Sequence, residues 1–451
     1  MNVRLKAIAS WILPNVMFAK LLQEGPKRYF FHTGWNLAGR VLSLFVAFFV
    51  NIYVIRTLGP SDYGFVSYVL SYVGLFGFIA SLGVDGILYI DLIEHPEKKN
   101  ELLGTGFYLK LVGATLAIIL TFISVIIIHD TFNTSLMIML SAGSLVFQSF
   151  FVINLYFQAK VFSRPVVISG FVINIFLSAV KVLVLYTGLD VEYFIGVFIL
   201  ENGITACGYI FLFFKYNQSI FDWTFRFDTA KRILGQSWPL ILSTAFTVVY
   251  MRIDQVMINH LLNRSSVGIY DAAVRLAEIW YFIPATIAGS LFPAVVNARI
   301  SSIPLYEARL AKLYSVSFYV SLFIILPITF LSGWIIQLLY GIDYIAAGPV
   351  LKIYVWAGIF SMLGVVVNQV LVHDKLTKIT FMINLIAMCL NVALNILFIP
   401  KWGINGAAIA TLISYATIPF STVLFRSTRK QSLLMIKALL LPKKYLSYEK
   451  E

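Results

Sequence analysis

Four basic residues of this 451-residue chain lie inside long apolar stretches, where a positive charge is costly. At the centre of a membrane-spanning helix such a charge costs roughly 2.5–3.5 kcal/mol, even on insertion scales. Basic residues kept there commonly hold an anion or face a water-filled cavity. We therefore predict an anion site at membrane depth, with a phosphate group as the simplest ligand. Its candidate ligands are Arg40, Lys181, Arg252 and Arg275.

Carboxylates occupy the same apolar stretches. Asp271, Arg275 and Glu278 are four and three residues apart, so they share one helix face. This trio fits a salt-bridge network between helices as well as it fits a functional site. Arg40 and Lys181 have no acidic residue within one helical turn, which favours a ligand role for both. The candidates for ion coupling or charge pairing are Asp85, Asp254, Asp271 and Glu278.

Membrane helices must position these charges. The chain is 60% hydrophobic and only 12% charged, with a mean hydropathy of +0.87, whereas a soluble domain is about 25% charged. Apolar stretches of about 20 residues span a bilayer as helices. The sequence therefore predicts an all-α integral membrane protein. We place its twelve spans at about residues 32–55, 63–88, 104–128, 134–157, 165–187, 192–214, 236–259, 267–292, 313–336, 348–372, 376–399 and 404–425.

The net charge of +13 is distributed unevenly. Most Lys and Arg residues lie near the N-terminus, after even-numbered spans and in the C-terminal tail. The connections after odd-numbered spans contain only Arg56, Arg264, Lys352 and Lys401. By the positive-inside rule, both termini are cytoplasmic in a multi-pass cell-membrane protein. The charge thus reflects topology rather than nucleic-acid binding. The tail is either a topology signal or a contact with the anionic inner leaflet.

A weak internal repeat indicates two six-helix halves with the site between them. Residues 56–65 align without gaps over residues 260–269, and Gly64 matches Gly268. We predict five segments on this basis: an interfacial N-terminal segment, 1–30, with an amphipathic helix at Ile8–Leu22; a first bundle, 31–216; a cytoplasmic linker, 217–235; a second bundle, 236–425; and a basic cytoplasmic tail, 426–451.

The sequence lacks the motifs of several enzyme classes. It has no phosphate-binding Gly-rich loop and no His or Cys spacing typical of a metal site. We therefore predict no catalytic residues, no metal and no cofactor. Cys207 and Cys389 lie in apolar runs, which predicts small core residues rather than a disulfide. A stripe of amides fits either sugar hydroxyls or, more commonly, hydrogen bonds between helices; it consists of Asn384, Asn391 and Asn395.

A series of short motifs, in order along nearly the whole chain, resembles one family. The motifs are Ile55–Gly64, Tyr156–Ala159, Ser237–Pro239, Arg252–Gln255, Val267–Ala273, Asn391–Asn395 and Gly403–Ala408. Together they are similar to the lipid-linked oligosaccharide flippases of bacterial polysaccharide synthesis, the O-antigen and capsule type. These flippases belong to the multidrug/oligosaccharidyl-lipid/polysaccharide exporter superfamily.

The resemblance implies a fold of twelve helices in two six-helix bundles around a central cavity. It implies a non-enzymatic flippase that moves undecaprenyl-diphosphate-linked repeat units across the cytoplasmic membrane by alternating access, for O-antigen, capsule or exopolysaccharide synthesis. The partners it implies are this lipid-linked oligosaccharide, the phospholipid bilayer and, as an option, other polysaccharide assembly proteins. The buried cations agree with a diphosphate ligand.

Two alternatives stay open. A cation-coupled drug exporter of the same superfamily would favour an acidic cavity, which four buried basic residues do not provide. A membrane glycan polymerase or ligase would be an enzyme, and it would usually have a large outer loop, whereas the longest predicted outer connections have about a dozen residues. The sequence leaves open the sugar, the coupling ion and the oligomeric state.

Overall fold

The computed structural model describes residues 24–160, 162 and 164–440, with side chains from Leu42 onward except at positions 239 and 240. Three sequence predictions lie outside these described parts. They concern the amphipathic helix Ile8–Leu22, the side chain of Arg40, and residues 441–451 of the basic tail.

Fifteen α-helices, joined by short turns and 3-10 segments, make up the described chain, which contains no β-strand. Following the predicted boundary, we call the helices up to Lys215 the first half: α1 Glu24–Ser81, α2 Asp85–Glu94, α3 Lys99–Ile128, α4 Phe132–Gly143, α5 Val152–Ala159, α6 Arg164–Tyr186 and α7 Val191–Lys215. Those of the second half are α8 Phe227–Leu261, α9 Arg264–Glu278, α10 Phe282–Ser301, α11 Ile303–Tyr340, α12 Ala347–Tyr354, α13 Ala357–His373, α14 Thr377–Phe420 and α15 Arg429–Leu440. The predicted all-α membrane fold is confirmed.

Ten helical stretches of the described chain are long and apolar enough to cross a membrane. Two of them, Leu42–Glu94 with 53 residues and Thr377–Leu424 with 48 residues, far exceed one crossing, because about 20 helical residues span a bilayer. Each is broken at a glycine with positive φ, 72° at Gly59 and 57° at Gly403. Counting two crossings in each agrees with the twelve predicted spans, although the number itself stays a prediction.

Two predicted spans are interrupted. Span 2, predicted at 63–88, ends with α1 at Ser81, because Leu82 and Gly83 take positive φ values of 46° and 58°. Span 8, predicted at 267–292, is divided into α9 and α10 by a turn at 279–281. Asp85 therefore begins a separate short helix, and Glu278 lies at the end of one.

Helix α3 shows how the sequence fits the membrane. Its buried face has small residues, Gly113, Ala117 and Thr121, whereas large residues such as Phe122 and Ile127 are exposed. Small residues let membrane helices approach closely, and lipid solvates the large apolar ones. Cys207 of α7 and Cys389 of α14 are likewise exposed on the outer side of their helices. Their prediction as core residues was wrong, because an apolar run in a membrane helix has a lipid-facing side as well as a packed side.

The segment between the halves packs firmly at the predicted inner end. Helix α8 begins at Phe227, within the predicted linker 217–235, and its first turns contact the first half. The guanidinium of Arg232 donates two hydrogen bonds to Asp91, of 3.3 and 2.7 Å. These bonds raise the pKa of Arg232 above its ordinary value. Thr229 donates to Glu101 at 2.5 Å. Side-chain hydrogen bonds therefore fix the connection between the halves against the first half.

Candidate functional site

Helices α8 and α9 bring most of the predicted charges together. They are joined by a short turn, where the Asn263 side chain accepts a hydrogen bond from the Ser266 backbone N–H at 2.9 Å and caps α9. The two helices pack against each other and against α1 of the first half. Arg252 and Asp254 come from α8, and the Asp271, Arg275 and Glu278 trio comes from α9.

Asp271 is the centre of a contact between the halves. It is 1% exposed and accepts the Arg275 Nε–H at 2.8 Å across one helical turn. From α1, the Tyr63 hydroxyl donates to the same carboxylate at 2.6 Å and the Ser67 hydroxyl at 2.8 Å. Gln255 of α8 adds a longer bond of 3.4 Å. Hydrogen bonds to a buried carboxylate are strong, so Asp271 ties the second half to the first.

Arg275 and Arg252 keep part of their surface accessible at membrane depth. The Arg275 side chain is 40% exposed although its partner Asp271 is buried, and its guanidinium lies 6.0 Å from the Tyr63 ring centroid. Arg252 is half-buried, and its charge acts on both Asp271 and Glu278. Among the described residues it makes no direct hydrogen bond or ion pair. These two guanidinium groups therefore combine charge, access and free hydrogen-bonding capacity.

Glu278 is half-buried at the end of α9. Its Oε1 accepts a hydrogen bond from the Tyr354 hydroxyl at 2.9 Å, which links α9 to α12. Although it is three residues from Arg275, the two side chains form no direct ion pair in the part of the chain that the structure describes. The predicted trio is thus one salt bridge, Asp271–Arg275, with a separate carboxylate beside it.

Asp254 is 2% exposed and is held by neutral donors. Its carboxylate accepts from the Tyr270 hydroxyl at 2.6 Å, the Thr411 hydroxyl at 2.5 Å and the Asn395 amide at 2.6 Å. No cation contacts it among the described side chains. Because all three donors are neutral, protonation of this carboxyl would leave no unpaired buried cation, whereas protonation of a carboxylate paired with arginine would.

Two predicted site residues lie elsewhere, each in an ion pair. Lys181 contacts Glu201 of the neighbouring helix at 2.9 Å and lies over the Phe198 ring at 4.4 Å. Asp85 contacts Lys110 of α3 at 2.6 Å. Both pairs join helices of the first half. Glu201 is 20 residues from Lys181 in sequence, so helical spacing gave no signal for this partner.

The halves meet most closely at the predicted outer end, at the two glycines of the internal repeat. A Cβ atom on Gly64 would overlap the carbonyl oxygen of Arg264, and one on Gly268 would overlap that of Pro60. Pro60 and Gly64 correspond to Arg264 and Gly268 in the repeat alignment. The two halves therefore use equivalent positions reciprocally, as in a contact across a two-fold axis.

Polar and aromatic contacts surround this glycine crossing. The Tyr68 hydroxyl donates to Asp130 at 2.5 Å and lies 3.0 Å from His260 Nε2. Arg264 bonds the Thr134 hydroxyl at 2.7 Å and covers the Phe65 ring at 4.5 Å. We call this contact, with the Asp271 bonds to Tyr63 and Ser67, the outer closure. The sequence gave no signal for its partners from opposite halves, since they are about 130–210 positions apart.

Comparison with known proteins adds to this geometry. A family model described as polysaccharide biosynthesis protein matches residues 32–299, which is more than half of the chain. The chain belongs to this family. The matched region includes α9 and the residues Arg252, Asp254, Asp271, Arg275 and Glu278.

Curated relatives of this family member include transport proteins. The probable flippase AglR of Haloferax volcanii is 27% identical over 245 residues, which are 52% of this chain and 49% of AglR. The Lsg locus putative protein 1 of Haemophilus influenzae is 24% identical over 66% of this chain and 72% of that protein. The putative O-antigen transporter of Shigella flexneri is 22% identical over 41% and 44%. The chain thus spans only about half the length of AglR.

Solved structures share the fold. An inward-facing multidrug resistance MATE family transporter of the MOP superfamily aligns with a TM-score of 0.65, at 12% identity, over 87% of this chain and 96% of that one. The lipid II flippase MurJ, in an inward closed conformation, aligns with a TM-score of 0.60, at 18% identity, over 91% of both chains. At these identities the comparison establishes the fold alone, a helical transporter fold.

Proposed function

We propose that this protein is a flippase that moves undecaprenyl-diphosphate-linked oligosaccharide repeat units across the cytoplasmic membrane. The product serves O-antigen, capsule or exopolysaccharide synthesis. The observation that carries the proposal is the pair Arg252 and Arg275, two accessible guanidinium groups at membrane depth in a member of the polysaccharide biosynthesis protein family. The probable flippases and the O-antigen transporter among its relatives support it.

The proposed substrate site binds the diphosphate through arginine. A guanidinium binds phosphate oxygens with two parallel hydrogen bonds. Arg275 contacts Asp271 through Nε, and its terminal nitrogens have no direct partner among the described residues. Arg252 is available in the same region. Arg40 stays a proposed third ligand on the basis of the sequence. Lys181 is left out, because Glu201 already compensates its charge.

Ion coupling is best assigned to Asp254. Asp85 is paired with Lys110, and Asp271 is paired with Arg275. Glu278 accepts a hydrogen bond from Tyr354 and lies within reach of the charge of Arg252, so its charge is tied to the proposed substrate site. Asp254 has neutral donors only, so it can gain and lose a proton without breaking an ion pair. We therefore propose that Asp254 exchanges the proton that drives alternating access.

The proposal includes a transport role without catalysis and a cytoplasmic location for both termini. The described connections at the predicted outer end are short, such as 129–131 and 262–263, and leave no room for the large loop typical of glycan polymerases. The basic residues between even and odd spans support the orientation.

Deleting the gene tests this function directly. We expect the complete oligosaccharide, still attached to its lipid diphosphate, to accumulate in the inner leaflet while surface glycan is lost. Lipid extraction followed by mass analysis measures the accumulation. An accumulated glycan of abnormal length would favour a polymerase or ligase, and unchanged surface glycan would rule out the proposed function.

A further inference from the structure

The second half contains a cleft of about 420 Å³ that the substrate site does not use. It lies between α8, α13 and α14, and residues such as Leu371 and Thr377 place one end of it at the predicted inner face. Eight of its seventeen lining residues are Ser, Thr or Asn, although apolar atoms make up most of its surface. The polar lining residues include Ser243, Thr247, Asn368, Thr377, Thr380 and Asn384.

Two helix faces extend from this cleft towards Asp254. On α8, positions 243, 247, 250 and 254 are four, three and four residues apart, so they lie on one face. On α14, positions 377, 380, 384, 391 and 395 follow the same helical rule. The Asn384 amide donates to the Ser243 hydroxyl at 2.8 Å, and the Asn395 amide donates to Asp254 at 2.6 Å. The polar faces of α8 and α14 therefore meet at both ends of the line.

A small aromatic contact separates the cleft from Asp254. Tyr250 and Tyr415 pack edge to face with ring centroids 5.4 Å apart. Both residues line the cleft, and they form a buried cluster with Ala357 and Ala387. Tyr415 is one helical turn from Thr411, which bonds Asp254. The two rings thus lie between the cleft and the residues that bond Asp254.

Several buried polar atoms along this line have no hydrogen-bond partner among the described residues. They are Thr380 Oγ1, the Tyr415 hydroxyl, Asn391 Nδ2 and Asn395 Oδ1. Buried polar groups are normally satisfied by protein or by ordered water, and water requires a polar site with sufficient room. The cleft meets both conditions, and the unsatisfied atoms beyond it are groups that water molecules would hydrogen-bond on the way to Asp254.

The line is separate from the proposed substrate cations. Arg252 is two residues from Asp254, so its side chain leaves α8 on another side. The groups that face Asp254 are Tyr270 from α9 and the uncharged Thr411 and Asn395 from α14. Tyr354 of α12 packs behind them against the Tyr270 and Tyr415 rings. No described charged group stands between the cleft and Asp254.

We propose that this cleft is the cytoplasmic access route for the proton that Asp254 exchanges, and that Tyr250 and Tyr415 gate it. The inference rests on the coupling role given to Asp254 above. The proton passes between bulk water and the Asp254 carboxylate along the polar faces of α8 and α14. The substrate and the proton thus reach the second half by different paths, which lets one side of α8 bind the anion while its other side titrates.

Thiol labelling tests the route. The variants Thr247→Cys and Thr380→Cys are made in a Cys207→Ser, Cys389→Ser background. Inside-out vesicles that contain each variant are treated with a charged, membrane-impermeant thiosulfonate. We expect both to react at least about tenfold faster than the control Ile396→Cys, because only a hydrated thiol ionises to the reactive thiolate. Ile396 lies on the same helix but is 56% exposed on the outer surface of the bundle. Equal rates at all three positions, or reaction only from the opposite side, would overturn the route.

The gate and the coupling role are tested separately. Tyr250→Ala should increase the reaction of silver ion with Asp254→Cys, whereas the lipid-exposed control Tyr193→Ala should leave it unchanged. An unchanged rate with Tyr250→Ala would overturn the gate.

Labelling needs no substrate, so its result does not depend on flippase activity. If the cleft is labelled as expected but Asp254→Asn retains normal surface glycan at normal protein level, the cleft is wet and the proton-coupling role is wrong. Transport by reconstituted protein that follows a sodium gradient and ignores a pH gradient would also overturn it.

Discussion

Single arginines differ in what they do for the fold and for the substrate. Arg275 compensates the buried carboxylate of Asp271, which also holds Tyr63 and Ser67 of the first half. Arg252 has no direct partner among the described side chains. One arginine therefore belongs to both the contact between the halves and the proposed substrate site, and the other belongs to the site alone. A substrate diphosphate that draws Arg275 away from Asp271 would weaken the outer closure, which links binding to opening.

Replacing Arg252 should separate binding from folding. Arg252→Ala removes the positive charge and the hydrogen-bond donors of the guanidinium, and it leaves no described partner unsatisfied. We therefore expect a near-normal protein level with a strong loss of surface glycan. Losing one hydrogen bond to a charged group costs about 1.5–3 kcal/mol, or roughly tenfold to hundredfold in binding. Arg252→Lys should retain part of the function, and Arg56→Ala, at an exposed outer position, should retain all of it. Normal glycan in Arg252→Ala would exclude this residue as a ligand.

Arg275 should respond differently, because its loss leaves Asp271 as an uncompensated buried charge. Breaking a buried pair costs roughly 3–5 kcal/mol, and the exposure of Arg275 places the cost near the lower end. We expect Arg275→Ala to reduce membrane protein level, and Arg275→Ala with Asp271→Asn to restore the level but not the glycan. Immunoblots of membranes beside surface glycan staining measure both. If the double variant restores glycan export as well, Arg275 has no substrate role.

At the scale of helices, sequence spacing predicted which residues share a face of one helix. It did not predict which residues of different helices contact each other. The shared face of Asp271 and Arg275 is confirmed, and the amide stripe does join helices, through Asn384 to Ser243 and Asn395 to Asp254. The breaks after Ser81 and Glu278 were missed, since helical periodicity says nothing about positive φ at Leu82. Partners such as Glu201 for Lys181 come from another helix, and only packing determines which helix that is.

The glycine crossing of the outer closure gives a prediction at this scale. A methyl group at Gly268 would overlap the Pro60 carbonyl oxygen, so Gly268→Ala should force α1 and α9 apart. We expect Ser67→Cys, 1% exposed at this contact, to become reactive towards an impermeant thiol reagent added from outside in the Gly268→Ala protein. Gly74→Ala is the matched control, because a Cβ atom there meets nothing within 4 Å. Unchanged labelling with Gly268→Ala would mean that the halves do not close at this crossing.

For the whole molecule, the fold and its orientation follow from different signals. Apolar length and a family match give the helical transporter fold, whereas the placement of Lys and Arg gives the proposed orientation. The described structure agrees with the alternation, because 56–68, 130–134 and 260–268 contact one another at one end, and 91–105 and 224–232 do so at the other. Which end faces the cytoplasm depends on charge alone.

A reporter that is active only in the periplasm tests the orientation. Fused after Glu451, it should be silent, and inserted in the outer turn at 188–190 it should be active. Both fusions need comparable protein levels on immunoblots. Activity after Glu451 would reverse the orientation, and the cleft between α8 and α14 would then open to the outside.

In the proposed function, the protein moves a lipid-linked oligosaccharide between leaflets without changing it. The lipid that accumulates in the deletion strain can be reconstituted into vesicles with purified wild-type protein or with the Arg252→Ala variant. The fraction of glycan that a membrane-impermeant lectin or glycosidase can reach then reports the leaflet. With wild-type protein and a pH gradient, we expect this fraction to change with time while the glycan keeps its length, and with Arg252→Ala we expect little change. A wild-type protein that leaves the fraction constant, or that lengthens or transfers the glycan, would contradict the proposed function.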